Sequence, residues 1–458
     1  MKKWSFLLIV FSIKAVPAQS GQPAAAAITP IVLPRQLSLP QAEEMLLQRN
    51  LAVVAGRQQL EVSQALRLIA GYKPNPVLQI GAEQFPIYSP VAGSYPRFFS
   101  TNSDTGAEPT YTIQFNKVFE RGGKREFREA QAEAQVDAAR AQILDAFRTQ
   151  LLQLRQAFVA AMLARENLKL AQSIDQQYQQ TEDLTVLRVN AGDQAGMELF
   201  RVKAGRLPYK QAIIDAQTSY QQALQDMANL LNASVDAGSG VRGASNITSA
   251  AAQTTPPALT PAVEVVGTFA ERTLGHTVDE LRSMALARRP DVQAAQNNLR
   301  AAESGLRLAQ AQRARDVSLG VEYQRVGNDS AVGVVAQVPL FLYNNQKAAI
   351  AQASAQQRLL EAQLRQVETQ ALTDVEKAYQ AFTAAQTTTA LYSTENLIQV
   401  AKLRDAIEYS YRRGEASLFE LLDAQRTASQ AAVAYNQARA NYQLALWQME
   451  AALGGPLE

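Results

Sequence analysis

Tyr220-Gln221-Gln222-Ala223-Leu224-Gln225-Asp226-Met227-Ala228-Asn229-Leu230-Leu231 returns further along the chain as Tyr442-Gln443-Leu444-Ala445-Leu446-Trp447-Gln448-Met449-Glu450-Ala451-Ala452-Leu453, at an offset of 222. Tyr, Gln, Ala, Leu, Met and the final Leu keep their places. The same offset carries Phe119 to Phe341, Gly192 to Gly414 and Glu198-Leu199 to Glu420-Leu421. Upstream, Leu66-Arg67-Leu68 matches Leu306-Arg307-Leu308 at an offset of 240. Chance does not hold one offset over so long a stretch, so the chain is two copies of one plan. The first copy is the longer between Leu68 and Phe119, by the difference of the two offsets.

Composition narrows what such a plan can do. The chain has 458 residues, 44 Lys+Arg, 42 Asp+Glu, no cysteine and one histidine. Disulfides, Cys-based zinc sites and thiol nucleophiles are excluded. His276 alone cannot build a multi-histidine metal site, and a Ser-His-Asp triad would have to run through it. A net charge of +2 gives no footprint for nucleic acid. No catalytic residue, metal or cofactor is expected. Only 7% of residues are aromatic against 47% hydrophobic, because alanine supplies much of the apolar share. That mixture suits long, closely packed helices.

Residues 1–18 read as a secretory signal: basic Met1-Lys2-Lys3, a short apolar run from Trp4 to Ile13, and a small-residue cleavage site at Val16-Pro17-Ala18. No Cys follows for a lipid anchor, and no later run reaches transmembrane length. The expected product is exported, either to the periplasm or to the outer membrane as a β-type protein. Residues 19–36 are expected to form an irregular N-terminal arm, 37–232 the first repeat, 233–276 a Gly/Ser/Thr/Pro-rich connector and 277–456 the second repeat. Within the connector, the weakly apolar stretch Val263 to Phe269 could form a short strand.

Each repeat reads as a half-length helix, two strands, a long helix, a glycine turn and a return helix. Tyr111 to Asn116 alternates apolar and polar residues, as do Val317 to Gln324 and Val332 to Leu340, with Gly327-Asn328-Asp329 in the loop joining the last two. The residues from Glu83 to Pro109 form an excursion between the first two strands. Four alternating strands suit a small soluble sheet on helices, or a membrane barrel shared among several chains, since four cannot close one. Lys124 to Asn190 and Gln346 to Arg412 are equal in length, and neither contains Pro or Gly. Each predicts one continuous helix of roughly 100 Å with a coiled-coil seam. Gly192 and Gly414 end them. Met197 to Asn232 and Val278 to Arg313 each predict a helix about half as long, the first bent at Pro208. Stacked end to end, the two would reach roughly 108 Å, so whole helices would lie beside stacked halves.

This plan resembles the TolC family of outer-membrane efflux proteins over about Leu37 to Pro456. The local signatures are Pro74-Asn75-Pro76, Gly122-Gly123-Lys124-Arg125, Tyr411-Arg412-Arg413-Gly414-Glu415 and Glu420-Leu421-Leu422-Asp423. The resemblance implies a mainly α fold: long antiparallel helices forming an α-helical barrel, plus four strands contributed to a homotrimeric, twelve-stranded transmembrane β-barrel. It implies an outer-membrane channel of a tripartite efflux system, embedded in outer-membrane lipid and extending into the periplasm. The partners would be a periplasmic adaptor (membrane fusion protein) and an inner-membrane pump of resistance-nodulation-division or ABC type. Glu120 to Arg125 is similar to the cobalt-zinc-cadmium cation-efflux branch. A type I protein secretion conduit and a periplasmic coiled-coil adaptor are the alternatives.

The resemblance also implies sites. Glu420 and Asp423 would line the constriction of the periplasmic tip, where acidic rings favour cations. Acids in the first turn of a helix also serve its dipole without other duty. Tyr411 and Glu198 would latch the closed tip, while the family's basic partner two residues after the second turn is replaced by Ala416. Gly192 and Gly414 would be the tip turns, and Gly122 and Gly123 the strand–helix junction.

Overall fold

The computed structural model describes residues 31–84, 109–235, 263–269, 275–341, 345–392 and 394–457. The expected signal segment, and the excursion between Gln84 and Pro109, lie outside the described residues. The chain enters at its waist. Strand β1 (Ile31–Val32) pairs in parallel with β5 (Ala233–Ser234), and β2 (Gln36–Ser38) with β6 (Glu264–Val266). The arm is therefore not irregular throughout. Leu33 and Leu37 are buried and draw its last residues into a core with Leu46, Phe158 and Val265. Tyr220 fastens this core: its hydroxyl donates to the Val263 carbonyl (2.9 Å) and accepts from the Val265 N–H (3.0 Å).

Helix α3 (Lys124–Asn190) is continuous over 67 residues, about 100 Å. Its buried face is rich in alanine, including Ala138, Ala139, Ala141, Ala161 and Ala164. Small side chains let neighbouring helices approach on both sides. Toward one end α3 packs against α2 (Leu51–Ala70) and α6 (Pro290–Ala311), and toward the other against α4 (Gly196–Leu230) and α9 (Leu418–Leu453). Helices α6 and α9 also pack on α7 (Lys347–Leu391), and α8 (Thr394–Arg413) packs on α9. The result is a wall in which the whole-length α3 lies beside shorter helices packed toward each of its ends. Pro208 lies inside α4 without ending it.

Three helices depart from expectation. The second long helix is two, α7 and α8, parted at Tyr392. Thr387, Thr388 and Thr389 precede the break, and each hydroxyl bonds the carbonyl four residues back (2.8–2.9 Å), which weakens and bends a helix. The Asn396 amide then caps the freed Leu391 carbonyl at 2.8 Å. The entry helices also divide. Asn50 separates α1 (Leu39–Arg49) from α2, and Arg289 separates α5 (Val278–Arg288) from α6. Both residues are extended, with ψ of 125°. Pro290 forces Arg289 out of the helical region, and Asn50 caps α2 with its own side chain.

The remaining strands form one antiparallel sheet in the order β3 (Val77–Glu83), β4 (Thr110–Phe119), β7 (Val317–Val326), β8 (Asp329–Gln337). Val326 pairs with Asp329, so the β7–β8 loop is only Gly327-Asn328, with Gly327 at φ +56°. Asp329, expected in the loop, opens the strand instead.

Candidate functional site: the sheet, its junction and the helical tip

The register assigns two chemically opposite faces to the sheet. Ile80, Ile113, Tyr323 and Val332 lie in one cross-strand row, and Leu78, Phe115, Val321 and Val334 in the next. All eight are exposed, Val332 to 80%. The opposite face carries Gln79, Gln114, Glu322 and Gly333 in one row and Gly81, Thr112, Gln324 and Ala331 in another. An apolar face and a polar face that are both uncovered are unsuited to a soluble sheet and suited to a barrel with lipid outside and water inside. Among the described residues, strands β3 and β8 each leave one edge unpaired. Among the described residues no helix is long and apolar enough to cross a membrane.

Gly122 (φ +79°) and Gly123 (φ +72°) turn β4 into α3. A Cβ on Gly122 would lie 2.7 Å from the Ala314 Cβ, so both the backbone angle and the space require glycine. Asp316 clasps the turn, accepting from the Arg121 N–H (3.0 Å) and the buried Lys124 ammonium (2.8 Å). Arg128 grips both oxygens of Glu120 (2.5 and 3.0 Å) and reaches the Ala70 carbonyl, tying α3 to the end of α2.

At the far end, Gly192 (φ +82°) and Gly414 (φ +81°) make the two turns. Tyr411 is 1% exposed, in a cluster with Ile174, Tyr178, Val202, Leu418 and Leu421. Its hydroxyl lies 3.4 Å from Thr185 Oγ1. Arg188 stacks on its ring, 4.6 Å from the centroid, and donates to the carbonyls of Tyr411 and Arg412 (2.9 and 3.0 Å). Glu198 does not reach Tyr411 within the chain; it pairs with Arg201 at 3.1 Å. The repeat explains why Glu198 and its counterpart Glu420 differ. Glu420 closes a capping box with Ser417, accepting from its N–H (2.8 Å) and hydroxyl (3.0 Å), and those bonds hold its carboxyl below the usual range. The residue equivalent to Ser417 is Ala195, which has no hydroxyl, so Glu198 takes the nearest cation instead. Asp423 pairs with Arg426 at 2.6 Å. It also lines a groove of about 1190 Å³ on α3 between α4 and α9, with Tyr178, Pro208, Tyr209 and Phe419.

Two further tip features escaped sequence reasoning. Arg206 on α4 grips Asp175 on α3 through two bonds (2.6 and 2.9 Å) and meets Glu182 at 3.2 Å. The Arg206 hydrogen bonds lower the Asp175 pKa, and Asp175 raises that of Arg206. Thr181, Thr185 and Gln425 are buried near Tyr411, with Gln425 Nε2 3.4 Å from Thr181 Oγ1 and its Oε1 without a partner among the described residues. The only sequence signal for Arg188 was its place in the last turn of α3, where a cation suits the helix dipole.

The family profile described as outer membrane efflux protein matches residues 43–233 and 281–455, nearly all of both repeats. The chain belongs to the outer membrane efflux protein family. Solved structures agree on the fold. CusC superposes with a TM-score of 0.69 at 16% identity, covering 91% of this chain and 92% of CusC. The outer-membrane channel OprN gives 0.69 at 20% identity, covering 92% and 90%. The outer membrane protein VceC from Vibrio cholerae gives 0.68 at 19% identity, covering 92% and 97%. No curated protein matches the sequence significantly. The chain is thus an efflux channel of the outer membrane that extends into the periplasm, and not an enzyme. Its β-sheet is the membrane part of the channel and the helical wall its periplasmic part. The glycine turns of this efflux channel lie at the end of the helical wall away from the sheet.

Proposed function

We propose that three copies of this chain form one passive conduit, receiving substrate from an inner-membrane pump through a periplasmic adaptor. The observation that carries this reading is the four-stranded sheet, apolar on one face and polar on the other, with both edges bare among the described residues. Exposed strand edges are not viable in lipid, so β8 of one copy pairs with β3 of the next until twelve strands close. The absent cysteines make a direct test available, because introduced thiols meet no others. Cysteines scanned along β3 and β8, beginning with Ile80→Cys and Val332→Cys together, should give covalent trimers and no larger species. A ladder ending at dimers, or running past trimers, overturns the reading.

At the tip, Asp423 and Glu420 are the proposed constriction residues. Asp423 is supported by its place in the groove between α4 and α9. Glu420 is held by Ser417 and contributes its field from that fixed position. Three copies of each would favour cations, and alanine at both should lower the cation-over-anion preference of single-channel currents. Unchanged selectivity removes the ring. Tyr411 is the proposed latch residue, with Arg188 and Thr185 as its partners inside the chain; any contact with Glu198 would be between copies. The break at Tyr392 supports a tip hairpin of α8 and α9 that moves separately from α7.

A further inference from the structure

The foot of the sheet is unusually basic on its lipid face. Strand parity puts Lys117 in the apolar row with Leu319 and Ala336, between Phe115 and Phe119 on its own strand. Its ammonium lies 5.6 Å from the Phe119 ring centroid. Phe119 and Val317 are paired in the last row of this face. Two residues beyond them on the periplasmic side stand Arg121 and Arg315, both exposed. The Arg315 guanidinium lies 5.7 Å from the Phe341 ring. Arg121 is fixed beside Arg315 by its N–H bond to Asp316.

The cations of this junction fall into two sets. Lys124 and Arg128 are neutralised by Asp316 and Glu120. Lys117, Arg121 and Arg315 have no carboxylate within salt-bridge distance among the described residues, although their backbones lie only a few positions from those acids. Strands β4 and β7 are central in the chain's sheet, so a neighbouring copy pairing at β3 or β8 does not cover them. Lys117 lies about 7 Å above the strand end, within reach of a side chain that runs its stem down the apolar surface and leaves its charge at the boundary. There the hydrocarbon ends and headgroup phosphates begin.

We propose that Lys117, Arg121 and Arg315 form a site for the phosphodiester headgroup of an anionic phospholipid in the leaflet facing the periplasm. The acyl chains lie along Leu319, Phe115 and Phe119, and the phosphate meets the three cations. The site rests on the lipid-facing assignment of this sheet face and fixes the height of the barrel in the membrane.

The full-length channel is reconstituted in phosphatidylethanolamine vesicles with trace spin-labelled phosphatidylglycerol or phosphatidylcholine, and the motionally restricted fraction of each label is measured. Wild type should prefer phosphatidylglycerol by at least about fivefold, the increment expected of a single surface cation. The triple variant Lys117→Gln, Arg121→Gln, Arg315→Gln should fall to near unity, and the conservative pair Arg121→Lys, Arg315→Lys should keep the preference. Removing three exposed cations elsewhere (Lys402→Gln, Arg412→Gln, Arg413→Gln) should leave it unchanged. Equal restriction of both labels by wild type, retention by the triple variant, or abolition by inorganic phosphate at matched ionic strength overturns the proposal. Flotation with the vesicles, scored in the same samples, separates this failure from failure of the channel to insert.

Discussion

The two repeats build the same waist joint from opposite materials. In the first, Asn50 ends α1 and begins α2: its side-chain Oδ1 accepts from the N–H groups of Ala52 (3.0 Å) and Val53 (3.2 Å), and its side-chain Nδ2 donates to the Leu230 carbonyl at 2.8 Å. In the second, Arg289 occupies this position and donates to the carbonyl of Ala452, the repeat equivalent of Leu230. It is 2% exposed and is held by Asp291 (2.6 and 3.0 Å) and Asp374 (3.0 Å). Burial works against the Arg289 charge, and the two carboxylates outweigh it and raise its pKa. The closing residue differs too. Asn232 ends the first return helix at φ +46°, and Gly454 ends the second at φ +81°, where a Cβ would stand 2.9 Å from the Arg289 Cα. One geometry is reached with a neutral amide and a residue that carries a Cβ, the other with a buried charge and a glycine. Duplication conserves the path of the backbone, and each copy satisfies its polar groups separately.

That contrast can be broken at its charged member first. Arg289→Ala leaves Asp291 and Asp374 facing an empty, partly buried site and should cost the second joint about 3 kcal/mol. Hydrogen exchange at Val292, compared with its equivalent Val53, should show the loss in the second joint alone; equal loss at both would mean that the joints do not act separately. Next in size is Gly454→Ala, at about 2 kcal/mol for the backbone angle and the contact with Arg289. The reciprocal Asn232→Gly should leave the amide exchange of the first joint almost unchanged. Asn50→Ala should cost about 1 kcal/mol, as for a lost helix cap, and appear at Val53 rather than Val292.

The smallest effect is that of acid. Burial pushes the Asp291 pKa up, and the hydrogen bonds and charge of Arg289, with Arg148, bring it below its ordinary 3.8. A carboxyl whose pKa is lower in the folded state adds stability above its unfolded pKa and loses it as pH falls through the folded one. Protection at Val292 should therefore be level from pH 7 to 5 and decline below about pH 4. Val53, capped by an amide that does not titrate, should show no such step from its own cap. A matching step at Val53 would show that the acid response is not seated at Arg289.

Features with a short-range signal were legible in the sequence. Gly192 and Gly414 end helices because their φ angles, +82° and +81°, strain any other residue. The strands announced themselves by alternation, and α3 by its long run without a breaker. Arg289 carried a signal too, in the proline after it, but it was absorbed into one long helical pattern. The break at Tyr392 lay behind a threonine run whose side chains are compatible with helix and only weaken it. Beside the glycine turns, Tyr411 and Glu198 were singled out only through the family resemblance. Their partners were not, since Arg188 lies 223 positions from Tyr411, and Glu198 turned to Arg201 for want of a hydroxyl at Ala195.

By itself the sequence determined the duplication, the order of elements, the strand faces and the family, because periodicity and repetition are written along the chain. The tertiary structure alone decided which carboxylate each cation holds. It decided that Leu33 and Leu37 draw the arm into the waist, and that Lys117, on the apolar face of the sheet, has no counter-ion among the described residues. Those outcomes depend on which residues three-dimensional packing brings within a few ångströms, and separation along the chain says little about that.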